Sequence, residues 1–128
     1  MRGANILLGI LLVAATAAAQ GCVLVAVGAG AAGTVAYIKG DLESVESAKI
    51  DKVYDAVLKA TGELQLAVIQ KGKDAMTAKV IARDAEDKKI IISLAATAEG
   101  ATKMTIRVGW FGSENKSRRI YDQAKKHL

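Results

Sequence analysis

Between Leu64 and Val108 four successive runs place apolar residues at every second position, a period that extended chain turns into one buried face. Leu64, Leu66 and Val68 form a first run, ended by Lys71-Gly72-Lys73-Asp74. Met76, Ala78, Val80 and Ala82 form a second, ended by Asp84-Ala85-Glu86-Asp87-Lys88. Ile90, Ile92 and Leu94 form the next, ended by Thr97-Ala98-Glu99-Gly100, and Met104, Ile106 and Val108 the last. Connections this short join neighbouring antiparallel strands, so the pattern predicts a meander.

The flanks change period. Ile50, Val53, Tyr54, Val57 and Leu58 lie at i, i+3, i+4, i+7 and i+8, one apolar helix face, and Gly62 is placed to end that helix. Upstream, Val35, Tyr37 and Leu42 mark a further strand, interrupted at Gly40 by a bulge or turn. Ser113 is placed to cap a final helix with the stripe Ile120, Tyr121, Ala124 and Leu128, while Lys125 and Lys126 suit the negative end of its dipole. Trp110 and Phe111 are adjacent and face opposite sides in extended chain, so one is expected between sheet and helix and the other at the surface. The chain contains no proline, which leaves glycines and charge clusters to mark the boundaries. The expected fold is α+β: a twisted antiparallel sheet of about five strands, elements in the order βαββββα, with two helices packed on one face and an N-terminal signal helix ahead of them.

Before Lys39 the only charged residue is Arg2. It precedes the apolar run from Ile6 to Ala19, which closes on Ala19-Gln20-Gly21-Cys22, the layout of a secretory signal ending at a lipid-accepting cysteine. Cys22 is the sole cysteine, so it has no disulfide partner in an oxidising compartment, and acylation would protect its thiol. The alternative is a buried cysteine in an inner-membrane signal anchor. As a helix, Val23 to Ile38 would reach only about 24 Å, short of a hydrocarbon core of roughly 30 Å. The expected division is therefore residues 1–21 as signal peptide, 22–33 as a lipidated Gly/Ala-rich lead, and 34–128 as one periplasmic domain. Val23, not aspartate, follows the cysteine, and bacterial sorting then favours the outer membrane over the inner.

Gly28-Ala29-Gly30-Ala31-Ala32-Gly33 spells GxGxxG after Val23 to Val27. A dinucleotide fold needs that motif in a βαβ unit, and no repeated βαβ units follow. Small residues at Gly28/Ala32 and Ala29/Gly33 fit close packing against another helix better, and self-association through 23–33 is one outcome.

The face opposite the apolar strand positions carries Lys79, Arg83, Lys89, Lys103 and Arg107 and no acidic residue from the same strands. It reads either as a solvated face with lysines blocking edge pairing or as a contact surface for anionic lipid, glycan or an acidic protein patch. The formal net charge of +5 is too modest to imply a nucleic-acid partner.

Catalysis has little to stand on. His127 is the only histidine and sits beside Leu128, and Glu86/Asp87 are turn carboxylates. No His/Cys cluster offers a metal site, so the expectation is a non-enzymatic chain with no metal and no cofactor beyond covalent lipid on Cys22.

Cys22, the Gly/Ala lead ending in Thr34-Val35-Ala36-Tyr37-Ile38-Lys39-Gly40-Asp41-Leu42-Glu43, the helix Asp51-Lys52-Val53-Tyr54-Asp55-Ala56 and the ending Ile106-Arg107-Val108-Gly109-Trp110-Phe111-Gly112 with Ser117-Arg118-Arg119-Ile120 together resemble a family of small Gram-negative lipoproteins catalogued as a domain of unknown function. The resemblance implies a membrane-anchored periplasmic βαββββα domain. Only the lipidated cysteine carries over as a functional position, onto Cys22, while Tyr54 stands where an aromatic is expected. The expected function is an accessory or interaction module of the cell envelope; the alternative is a binding module that takes anionic lipid or glycan on its basic sheet face.

Overall fold

Hydrophobic alternation sets the architecture of residues 34–128, the part of the chain that the structure, a computed structural model, describes. The strands are β1 (Val35–Ile38), β2 (Asp41–Glu46), β3 (Ala67–Lys73), β4 (Thr77–Arg83), β5 (Lys89–Ala96) and β6 (Thr102–Val108). The helices are α1 (Ile50–Glu63) and α2 (Glu114–Lys125). All neighbouring strands pair antiparallel, in the order β1-β2-β6-β5-β4-β3, and the α+β class follows. The expected signal helix, Cys22 and the Gly/Ala-rich lead lie outside the described residues.

Six strands replace the expected five because the interruption at Gly40 is a complete reversal. Lys39 (φ +51°) and Gly40 (φ +91°) both take left-handed backbone, the requirement of a two-residue hairpin loop that matches the strand twist. The hairpin then lies against β6, with Leu42 opposite Ile106 and Asp41 opposite Arg107.

Alternate residues of β4, β5 and β6 enter one core. Val80, Ala82, Ile90, Ile92, Met104, Ile106 and Val108 are all buried, and α1 covers them with Ile50, Val53, Val57 and Ala60. From α2, Ile120, Tyr121 and Ala124 enter the same core. The Val, Ile and Met side chains among these each contribute on the order of 1.5–3 kcal/mol by leaving water, and the alanines about 0.8 kcal/mol, which is what holds two short helices to the sheet.

Two expected boundaries move. Gly62 lies inside α1, and the left-handed residue that closes the helix is Gln65 (φ +56°). Its N–H donates to the Gly62 carbonyl at 3.1 Å and that of Leu66 to Thr61 at 2.9 Å, the paired bonds of a Schellman cap. Leu64 and Leu66 are thus cap residues packed on the core, not strand, and β3 begins only at Ala67. Met76 likewise stands in the β3–β4 turn and is exposed, because Asp74 accepts the N–H groups of Met76 and Thr77 and bends the chain there.

Candidate functional site

Among the described residues, both helices pack on the core side of the sheet and none on its other face. Register places Ile81, Ile91, Arg107, Asp41 and Ile38 in one row across it, and Lys79, Ser93, Thr105, Glu43 and Ala36 in the next. Lys79, Arg83, Lys89, Lys103 and Arg107 therefore share this face, with Arg83 directly opposite Lys89. It is less basic than β4–β6 alone suggest, since β2 brings Asp41 and Glu43 beside β6. Arg107 pairs with Asp41 at 3.0 Å, Lys103 with Glu43 at 3.8 Å, and Arg83 with Asp87 at 3.6 Å. Among the described residues, Lys79 and Lys89 stay outside these pairs.

Arg107 does more than balance Asp41. Its guanidinium also donates to the Lys39 carbonyl at 3.1 Å and to the Trp110 carbonyl at 2.5 Å, so one fork ties the β1–β2 loop to the turn after β6. Glycine lets the two loops meet. A Cβ on Gly40 would lie 2.7 Å from the Phe111 carbonyl oxygen, and one on Gly112 (φ +83°) would run into the Gly40 backbone.

That turn presents both aromatic rings to solvent: Trp110 is 85% and Phe111 86% exposed. The expectation that one of them enters the core is overturned. Val108 is the last strand residue, Gly109 (φ +74°) turns the chain off the sheet with its N–H on the Lys89 carbonyl, and Ser113 caps α2 before either ring could fold back under it. Ile38 is half exposed on the β1 side of the same joined loops. Beside the Trp110 ring, Lys89, Ile91, Arg107 and Gly109 line an open groove of about 500 Å³. The aromatic pair was missed as a surface feature, although its flanking glycines, Gly109 and Gly112, were a signal that this segment is a turn.

Other polar clusters are structural in character. Lys116 reaches from α2 to Asp84 at 2.7 Å and Glu86 at 3.2 Å; its ammonium, with the backbone N–H groups of Lys88 and Glu86, holds the Asp84 carboxyl below the usual range. Beside them lies a cleft of about 410 Å³ with Leu64, Leu66 and Ile120 on its walls. Glu46, almost wholly buried, receives the Lys125 ammonium at 2.7 Å. Among the described residues, its Oε1 and the hydroxyls of Ser44 and Ser117 have no hydrogen-bond partner. Burial first, and then the Glu46 charge, push the neighbouring Tyr121 phenol up. His127 contacts Glu63 rather than any cluster of potential ligands. Among the described residues no group of three His, Cys, Asp or Glu could hold a metal ion, and no helix is long and apolar enough to cross a membrane.

Fold and site together define, over the described residues, a six-stranded α+β domain with its helices on one face and a clamped aromatic turn at its rim. The family model described as "Protein of unknown function (DUF3568)" matches residues 5–127, and the chain belongs to that family. No curated protein matches it.

Proposed function

We propose that the chain is a lipoprotein tethered through acylated Cys22, facing the periplasm from the outer membrane and acting as a non-enzymatic interaction module of the cell envelope. The observation that carries the interaction reading is the Trp110–Phe111 turn. Two adjacent aromatics are held outside the core by a bonded, glycine-tight junction, and large exposed aromatic groups of this kind mark contact sites. The tether rests on the sequence run ending at Cys22. The alternative, an anionic lipid or glycan laid flat on the basic sheet, has weaker support because Arg83, Lys103 and Arg107 are already paired within the domain.

Photocrosslinking from position 111 in native membranes, with mass spectrometry of the N-terminal peptide, tests both parts. The expected result is a mature chain beginning at diacylated Cys22 and crosslinks that disappear from position 69 on the distant edge strand β3. A mature chain still beginning at Met1 with a free Cys22 thiol would replace the lipoprotein with an inner-membrane signal anchor. Equal labelling at both positions would remove the turn as the contact site.

A further inference from the structure

We propose that the partner of the aromatic turn is an anionic lipid bilayer: Trp110, Phe111 and Ile38 enter its headgroup region while Lys39, Lys88 and Lys89 meet lipid phosphates. The inference rests on the interaction reading above and names its partner.

The chemistry is that of an interfacial anchor. An indole ring has an apolar body and a polar N–H, and it favours the boundary between acyl chains and water. Phe111 and Ile38 add purely apolar surface on the same joined loops. Arg107 fixes those loops through the Lys39 and Trp110 carbonyls, so little order remains to be imposed on binding.

Charge selects the surface. Lys89 borders the groove beside Trp110, the Lys88 side chain lies next to Gly109, and Lys39 forms the tip of the β1–β2 loop. None of the three has an ion-pair partner among the described residues, whereas the acidic groups nearby, Asp41 and Asp87, face Arg107 and Arg83. A rim of free lysines around exposed aromatics is complementary to anionic headgroups. Reach is consistent too: the chain from Cys22 to Val35 spans at most about 45 Å when extended, which confines a tethered domain to the membrane's vicinity.

Trp110 is the only tryptophan, so tryptophan emission, excited selectively beyond the absorption of the tyrosines, reports on this turn alone in the full-length protein. The protein is reconstituted into phosphatidylglycerol-containing vesicles and into phosphatidylcholine vesicles, with acyl chains brominated for quenching. The expected result is blue-shifted emission and bromolipid quenching in the anionic vesicles. Lys39→Glu with Lys89→Glu should restore iodide access, and Phe111→Ser should reduce the inserted fraction at least about tenfold. Emission that stays red and iodide-accessible in anionic vesicles overturns the inference. If Trp110 is then shielded only when native envelope proteins are added, the interaction module stands and its partner is a protein; if it stays open there as well, the interaction reading falls too. The state of Cys22, read by mass, is independent of every arm.

Discussion

Gly112 packs against Gly40 backbone to backbone, with no space for a side chain on either residue. This contact joins the first β-turn of the domain to the aromatic turn after its last strand. Gly112→Ala adds a methyl group against the Gly40 carbonyl and the Tyr37 hydroxyl at a left-handed φ, and should cost about 2–3 kcal/mol in urea unfolding. Gly100→Ala, equally left-handed but in open space, is the control and should cost only about 1 kcal/mol.

Removing the Arg107 fork should loosen both loops at once. Arg107→Lys keeps a charge beside Asp41 but cannot bridge two carbonyls and a carboxylate from one planar group. Hydrogen exchange should accelerate at residues 39–40 and 109–112 in this variant, with the β4–β5 amides unchanged. Uniform acceleration across the sheet would mean that Arg107 supports the whole fold and not this junction.

Trp110→Ser and Phe111→Ser should leave thermal stability almost untouched, within about 0.5 kcal/mol each, because neither ring is buried. A large loss of stability would place a ring against the core and remove its availability as a contact.

The strand periods carried far. Ile90, Ile92, Met104 and Ile106 alternate strictly and are buried as a set, and Ser113 accepts the Lys116 N–H as a helix cap. Local signals failed where the left-handed position went to an unusual residue: Lys39 in the hairpin loop and Gln65 after α1 take the backbone that glycine or asparagine more often supplies. The composition of the face away from the helices was illegible for a different reason. Asp41 reaches Arg107 across 66 positions of sequence, and no local pattern announces that the first hairpin will lie beside the last strand.

Acid should weaken the α2 end of the domain through Asp84. Its folded pKa is lowered by the Lys116 ammonium and two backbone N–H donors, so the stability it contributes is present above the ordinary aspartate value of about 3.9 and is lost as pH falls through the lower folded value. Lys116 has the opposite sign: Asp84 raises its pKa, and its contribution is lost as pH rises through that raised value. Asp84→Asn should flatten the acid limb of a stability-against-pH curve while leaving the plateau between pH 6 and 8 level, as followed by circular dichroism during urea titrations.

Glu46 makes a stricter demand on its partner. Lys125→Met would strand a buried carboxylate, costing on the order of 1–2 kcal/mol once the solvent around the half-exposed ammonium is allowed for. Glu46→Gln combined with Lys125→Met should recover part of that loss in a double-mutant cycle, and additive losses would show that the two side chains do not act as a pair.

The strand order also has a consequence for how the domain is completed. β1 and β2 are made first, yet β2 finds its only other neighbour in β6, the last strand of the chain. Among the described strands the hairpin therefore has no further neighbour until Thr102–Val108 exists, and closing that long loop is the slow kind of step in folding. A chain shortened before β6 would not be a smaller version of this domain; it would be a meander and a stray hairpin, each with an open edge.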